Sequence, residues 1–374
     1  MKRLALTILG LALALSGFAG GIVSGPWVTE TRENSITVLW TTDLPGQAYL
    51  ELETGEKVWE TFAGRHIFQR LHTVKLAGLQ PGEIVRYRVC GIDLKDDSNA
   101  RDPKFGEAWE GEWHSVRTFD RKAPECRFSV FNDIHMKTAK FSALASQVDS
   151  SATNFLFLNG DIVSAGNYCA DTLARYMIDP LGSLPAGIPV LFARGNHEGR
   201  GNGTRAVADV FPNADPAPFY YTFRAGPAAF IVFDGGETST RRSRAYSGAD
   251  YFEDYMNAQL EWARAAVREK AFRTAPVKIC LVHVPMIDHE DKTDYLLQRW
   301  MNQHFMELLN KAGIDLMIGA DLHEFMWCEA GTMGNKFPII VNDDVRRMDV
   351  LCTKKGISLK TFNAAGEEEF SKEL

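Results

Sequence analysis

Five short apolar runs in this chain each end in residues that can carry a proton or hold a cation. Arg127 to Phe131 leads into Asp133-Ile134-His135, and Asn154 to Leu158 into Gly160-Asp161. Ile188 to Phe192 precedes Gly195-Asn196-His197-Glu198, Val277 to Val282 precedes His283, and Ile314 to Ile318 precedes Asp321-Leu322-His323. Short apolar runs bounded by turn residues read as buried strands. Between them, Thr138 to Val148, Tyr251 to Lys270 and Asp294 to Lys311 have helical spacing. Strands alternating with helices predict a layered α/β domain. Loops beyond the carboxyl ends of such strands are where ligands bind. The five strand ends are therefore expected to present their Asp, Asn and His side chains to one cleft.

The remaining elements are less informative. Tyr220 to Phe223 and Ala229 to Phe233 read as a hairpin around Gly226-Pro227, and Phe337 to Val341 and Met348 to Leu351 as β structure. Gly366 to Leu374 is charged and is expected to fray. Residues 22–122 read as a separate small all-β unit. Ser35 to Trp40 alternates with period two, Ala48 to Leu52, Thr73 to Leu76 and Ile84 to Val89 follow, and Ser115 to Phe119 closes the unit. Asp43-Leu44-Pro45-Gly46 and Gly78-Leu79-Gln80-Pro81-Gly82 are read as turns. Several short strands in about 100 residues suggest a sandwich. Arg121-Lys122-Ala123-Pro124 is read as a polar hinge into the second domain, 124–365.

Residues 1–20 stand apart from the fold. Lys2 and Arg3, an apolar run from Leu4 to Leu15 and the small residues Ser16, Gly17 and Ala19 form the three-part pattern of a signal peptide cleaved near Ala19. A membrane anchor needs roughly 20 apolar residues, and this run is shorter. No later stretch is apolar enough to span a bilayer. The expectation is export, with no transmembrane segment after signal removal.

Composition excludes several classes. Over 374 residues, 45% are apolar and 24% charged, so disordered, collagen-like and coiled-coil classes are ruled out. A net charge of −7 argues against nonspecific nucleic-acid binding, and no specific nucleic-acid binding is expected. The six cysteines include no C-x-x-C pair, so a zinc knuckle or thioredoxin-like site is not expected. Free buried thiols and one or two disulfides both remain open.

Each candidate residue has a bland reading. Asp133 alone is a helix cap, Gly160-Asp161 a turn, Asn196 a left-handed turn residue and His283 a satisfied buried histidine. Together, oxygen and imidazole donors without thiolate suit Mn, Fe, Zn or Mg, and an Asp flanked by two ligand sets is a natural bridge between two ions.

The ordered set Asp133-x-His135, Gly160-Asp161 with Gly166, Gly195-Asn196-His197-Glu198, His283 and Asp321-x-His323 resembles the calcineurin-like metallophosphoesterases. The leading unit resembles a fibronectin type III domain in Gly25-Pro26, Trp40, Leu79-Gln80-Pro81-Gly82 and Tyr87, a layout similar to that of purple acid phosphatases. Two features depart from the purple enzymes: His135 is present, and Ser164 stands where they carry a metal-bound tyrosine. No purple colour is therefore expected. The resemblance implies a layered α/β fold with a β-sandwich flanked by helices for the second domain, and an enzyme hydrolysing phosphate esters by attack of a hydroxide bridging two divalent ions, Mn or Fe ahead of Zn or Mg. It places the first ion among Asp133, His135, Asp161 and His323. The second would lie among Asp161, Asn196, His283 and the residue at 321. His197 would be no ligand but would stabilise charge or protonate the leaving oxygen.

Position 321 departs from the family, which has Gly-His-x-His where this chain reads Ala320-Asp321-Leu322-His323. Three readings stay open. Asp321 ligates and favours Mn, Mg or Fe over Zn, or it leaves the second site weak, or the site is inactive and the protein binds a phosphorylated ligand. Arg194, Arg200 and Arg205 flank the Gly-Asn-His-Glu loop as phosphate clamps or as surface residues. His289 and the run Arg241-Arg242-Ser243-Arg244 lie in loops near the expected cleft. His66, His72, His114 and His304 are assigned structural or surface roles. The substrate is a small-molecule or lipid-linked phosphate ester whose class the sequence does not choose.

Overall fold

The strand Ser35–Leu52 organises the first hundred residues of the computed structural model, which describes residues 21–213, 217–237, 245–246, 248–249, 251–287 and 296–374. The first half of this strand pairs with Ile22–Thr29 and Gln69–Ala77, and the second half with Lys57–Trp59 and Ile84–Asp96. One strand thus serves both layers of the small sandwich, around a core of Val38, Trp40, Val74, Tyr87 and Val89. The change of partner falls where the sequence suggests a turn. At Asp43 to Gly46 the chain stays extended and its register against Gln69–Ala77 slips. Gly46 permits this: a Cβ there would stand 2.7 Å from the Ile92 carbonyl oxygen. Only glycine lets the second half close on Ile84–Asp96.

The expected hinge at Arg121 to Pro124 joins two bodies that are packed against each other. Trp27 and Leu39 are buried among Leu173, Phe192 and Val207 of the second domain. Trp27 Nε1 donates to the Val210 carbonyl at 3.0 Å, and Tyr87 Oη to the Ala186 carbonyl at 2.8 Å. Burial of a Trp and a Leu with their polar atoms paired opposes the free swinging expected of a polar linker.

Beyond it, two six-stranded sheets face each other. The first runs Val190–Ala193, Phe155–Asn159, Glu125–Phe131, Arg347–Thr353, Gly356–Phe362 and Glu368–Glu373. The second runs Tyr221–Ala225, Ala228–Phe233, Val277–Val282, Leu316–Gly319, Ile339–Val341 and Met326–Cys328. Between them lies an aromatic core in which Phe128 stacks on Phe155 at 4.7 Å, Phe223 on Phe230 at 4.4 Å, and Phe155 meets Phe230 edge-on at 5.4 Å. Helices Thr138–Ala145, Ala170–Met177 and Thr204–Val210 cover the outside of the first sheet. Phe252–Ala266 and Leu296–Ala312 cover the second, through Met256, Leu260, Ala263, Met301, Phe305 and Leu309. The central strands of both sheets are parallel and buried on both faces, which explains their continuous apolar runs.

The C-terminal segment does not fray. Within Gly366 to Leu374, Glu368–Glu373 pairs with Gly356–Phe362, Phe370 packs on Phe325 and Trp327, and Lys372 Nζ meets Glu329 Oε1 at 3.0 Å. The period-two placement of one aromatic among charges is an edge-strand pattern. All six cysteines are free, and Cys126 and Cys352 are direct neighbours across two strands.

Candidate metal centre

The carboxyl ends of the parallel strands in both sheets open toward one cleft. Asp133 and His135 follow Glu125–Phe131, Asp161 follows Phe155–Asn159, and Asn196 and His197 follow Val190–Ala193. His283 follows Val277–Val282, and Asp321 and His323 follow Leu316–Gly319. The backbone here is unusual. Among the described residues, the non-glycine positions with positive φ include Asp133 (50°), His135 (48°), Met136 (63°), Asp161 (53°), Asp321 (69°) and His323 (56°). Side chains in left-handed conformations cost about 1–3 kcal/mol each and gather where function demands a geometry. Two glycines bring the loops together. A Cβ on Gly160 would stand 2.4 Å from His283 Nδ1, and one on Gly195 2.2 Å from Asp161 Oδ1.

The resulting distances describe a cation cradle. His135 Nε2 and His323 Nε2 each lie 3.8 Å from Asp133 Oδ1. Asp161 Oδ2 lies 4.0 Å from His135 Nε2, 3.7 Å from His197 Nε2 and 3.4 Å from His283 Nε2. Asp321 Oδ1 is 3.7 Å from His283 Nε2. Atoms that share an ion at ~2.1 Å can stand no more than ~4.2 Å apart. Asp133 Oδ1, His283 Nε2 and Asp321 Oδ2 are sealed from solvent and make no hydrogen bond. Unpaired buried acceptors are costly, so these atoms fit cation ligands better than they fit any protein partner. An oxygen and imidazole donor set with no sulfur fits a hard or borderline divalent ion.

A surrounding layer aims these atoms. Asp133 Oδ2 accepts from Asn132 Nδ2 at 2.8 Å and the Asp321 amide at 3.2 Å, leaving Oδ1 toward the cleft. His283 Nδ1 donates to the Asn159 carbonyl at 2.7 Å, which fixes the ring with Nε2 toward Asp161 and the cleft. Buried Glu198 accepts from the amides of Asp161, Ile162, Val163 and Gly195 at 2.8–3.3 Å, tying the Asp161 loop to the Asn196 loop. Asn196 Nδ2 donates to buried Glu237 at 3.4 Å, which turns its carbonyl oxygen the other way.

Electrostatics match an excess of buried negative charge. Burial pushes the Asp321 carboxyl up to about 7, with Asp161 and Asp133 adding to the effect against the pull of His283. Burial would raise Asp161 as well, but His283 and His197 hold it down at about 2. Burial disfavours the charged His283 ring, yet Asp161 and Asp133 raise it well above its ordinary value. Burial, then Asp161, lifts Glu198 to about 7.

All eight residues singled out at the strand ends border this cleft, including His197, which reaches as close to Asp161 as the others. The arginines part ways. Arg194 is neither clamp nor surface residue: it is buried in a two-bond pair with Asp234 at 2.8 and 2.9 Å. Arg205 is exposed and 3.8 Å from Asp209. Arg200 grips Glu237 through two nitrogens and places Nη1 3.2 Å from His197 Nε2. Glu237, four residues past Ala228–Phe233, was missed; an acid beyond a parallel strand was the available signal. The positioning roles of Asn132 and Glu198 were missed as well. His72 is buried, and His304 Nδ1 lies 2.8 Å from the Trp300 carbonyl. Residues 1–20, His289 and Arg241 to Arg244 lie outside the described residues.

Comparison with known proteins follows this geometry. The calcineurin-like phosphoesterase family model matches residues 126–325. Among solved structures, a purple acid phosphatase from yellow lupin (Lupinus luteus) seeds aligns over 94% of this chain and 74% of its own, with 14% identity and a TM-score of 0.67. A Thermus thermophilus protein aligns over 66% of this chain and 98% of its own, with 12% identity and a TM-score of 0.38. A human fibronectin type III domain aligns over 28% of this chain and 91% of its own, with 16% identity and a TM-score of 0.16. No curated protein sequence matches. A family model spanning more than half of the chain, over the strands and loops that build this cleft, shows that the chain belongs to the calcineurin-like phosphoesterases, hydrolases of phosphoric ester bonds.

Proposed function

We propose that this chain is an exported two-domain hydrolase, the domains being 22–122 and 124–365, that cleaves a phosphate ester with two divalent ions and water as nucleophile. The observation that carries the reading is the set of sealed, unbonded acceptors Asp133 Oδ1, His283 Nε2 and Asp321 Oδ2 around Asp161. Asp133, His135, Asp161 and His323 would hold one ion, and Asp161, Asn196, His283 and Asp321 the other. Bound there, the ions would acidify water and neutralise phosphoryl oxygens. With Asp321 a carboxylate where the family has imidazole, Mn or Fe is the expected metal. Ser164 offers only its backbone carbonyl to Tyr168 Oη at 2.7 Å, so no phenolate colour is expected. Export rests on the pattern of residues 1–19.

The chain's own groups supply the proton. His197 Nδ1 accepts from the Ala165 amide at 3.2 Å, and Nε2 lies 3.2 Å from Arg200 Nη1, which can only donate to it. Burial keeps that ring below its ordinary value; Asp161 pulls the other way and Arg200 reinforces burial. An anionic leaving oxygen that took over the Arg200 donor would free Nε2 to carry a proton toward that same oxygen. The guanidinium also disfavours a cation at Nε2, which separates His197 from the ligands. His197 would then deliver a proton to the leaving oxygen.

The test is hydrolysis by the chain lacking residues 1–19. An aryl phosphate monoester and an aryl diester are each offered with Mn, Mg, Fe, Zn or chelator. Metal-dependent turnover is the expected result. No turnover with any metal favours the second reading, a protein that binds a phosphorylated ligand, with Asp321 as the cause.

A further inference from the structure

The end of the molecule opposite the metal cleft gathers charge of the other sign. Tyr221–Ala225 runs antiparallel to Ala228–Phe233, so its last residues lie beside the start of that strand, at the end away from the cleft. Period two puts Tyr221, Phe223 and Ala225 into the core and Arg224 on the other face. There a cavity of about 380 Å³ is lined by Arg224, by Arg121 of the hinge, and by Arg32, Glu33, Asn34 and Pro81 of the first domain. Three guanidinium groups and one carboxylate leave two positive charges in surplus, in a chain whose net charge is −7. A local field of this sign, against the charge of the whole, collects anions.

The arginines are fixed mainly by neutral groups. Arg32 Nη2 donates to Asn213 Oδ1 at 2.9 Å, and its guanidinium lies 5.7 Å over the Tyr221 ring. Arg224 Nη1 donates to the Ala271 carbonyl at 2.6 Å and Nη2 to the Gly226 carbonyl at 3.4 Å, while its Nε is covered and makes no hydrogen bond. The one carboxylate is engaged by Arg121: Glu33 accepts from the Arg121 amide at 2.9 Å, and its other oxygen stands 3.2 Å from Arg121 Nε. Burial holds the Arg224 guanidinium below its ordinary value, Glu33 pulls it back, and Arg121 lowers it further. A half-buried cation facing a second cation is unfavourable until an anion joins them. Guanidinium forks match the oxygens of a tetrahedral oxyanion, and such charge-assisted bonds are about twice as strong as neutral ones.

We propose that this cavity is an anion site that takes a phosphate group between Arg32, Arg121 and Arg224, where it touches both domains and the hinge. It shares no residue with the metal cleft, so it stands whether or not the phosphoesterase reading holds. Inorganic phosphate is the simplest such ligand, and glycerol phosphate carries the same group on an organic molecule.

The experiment is isothermal titration of inorganic phosphate, at fixed ionic strength, into the Mn-loaded chain and into the chain stripped of ions with a chelator that is then removed. One binding event common to both is expected. Arg121→Gln, at a side chain 56% exposed, is expected to weaken that event about tenfold, or ~1.4 kcal/mol. Glu33→Gln removes the one carboxylate, keeps an acceptor for the Arg121 amide, and is expected to tighten the event about threefold. Damage to the fold would not tighten binding. No event in the stripped chain, or equal binding by parent and Arg121→Gln, overturns the proposal. An event seen only with Mn belongs to the metal cleft and overturns it as well. With the common event in hand, tighter binding of inorganic phosphate than of glycerol phosphate identifies the ligand as the free ion, and the reverse order as the phosphate of an ester.

Discussion

Two buried clusters in this protein use the same ingredients to opposite ends. In the first domain, Glu60 and His72 are sealed from water with Thr42. Glu60 accepts from His72 Nδ1 at 2.8 Å, Gln69 Nε2 at 2.6 Å and the Thr73 amide at 2.7 Å, and His72 Nε2 has Thr42 Oγ1 at 3.2 Å. Both ring nitrogens and both carboxylate oxygens are occupied. In the second domain, Asp133, Asp161 and His283 are buried as deeply and the Asp321 side chain is nearly covered, yet three of their atoms make no hydrogen bond. The first cluster is closed by its own chain and stabilises the sandwich. The second is left open at the atoms that would face an ion. Residue type does not separate a structural from a chemical cluster; the accounting of buried polar atoms does.

The comparison breaks or sharpens under substitution. Asp161→Ala removes the carboxylate that the two proposed ion positions would share and is expected to reduce phosphate ester hydrolysis by on the order of 10³-fold or more, with circular dichroism unchanged. Retention of most activity would overturn the metal reading. His197→Ala is expected to lower kcat by roughly 10²- to 10⁴-fold, the usual worth of a positioned acid, while metal content measured on the purified protein stays the same. Loss of metal together with activity would make His197 a ligand.

Glu60→Ala strands three donors in the closed cluster and is expected to cost about 3 kcal/mol in denaturant unfolding, with metal binding intact. A smaller effect is the stabilisation of the parent by Mn. At a hundredfold excess over Kd it is expected to reach ~2.7 kcal/mol, to vanish in Asp161→Ala and to persist in Glu60→Ala. Equal stabilisation of all three proteins would place the ion elsewhere. The smallest expected effect is a change of metal order: Asp321→His should move relative activity from Mn toward Zn. An unchanged metal profile would show that Asp321 is no ligand.

The cleft was legible because strand ends are short and local. An apolar run of about five residues places the next two or three at the rim of a parallel sheet, so Asp133, Asp161, Asn196, His283 and His323 were readable in place. The bend in Ser35–Leu52 was not, because Asp43-Leu44-Pro45-Gly46 has turn composition, and only the approach of Ile92 to Gly46 keeps the chain extended. The edge strand at the C-terminus was hidden by its charge, since Phe370 has value only against Phe325 and Trp327. Arg194 illustrates the same limit: its burial depends on Asp234, forty residues away in sequence.

The sequence by itself determined the alternation of elements, the sandwich ahead of it and the order of donor residues along the chain. These follow from side-chain periodicity and from chemistry within a few residues of each strand end. Only the tertiary structure decided which donors lack partners and which arginine faces the cleft. Those outcomes depend on atoms far apart in the chain meeting within 3–4 Å, and the pairing of buried polar groups is set by the three-dimensional packing around them.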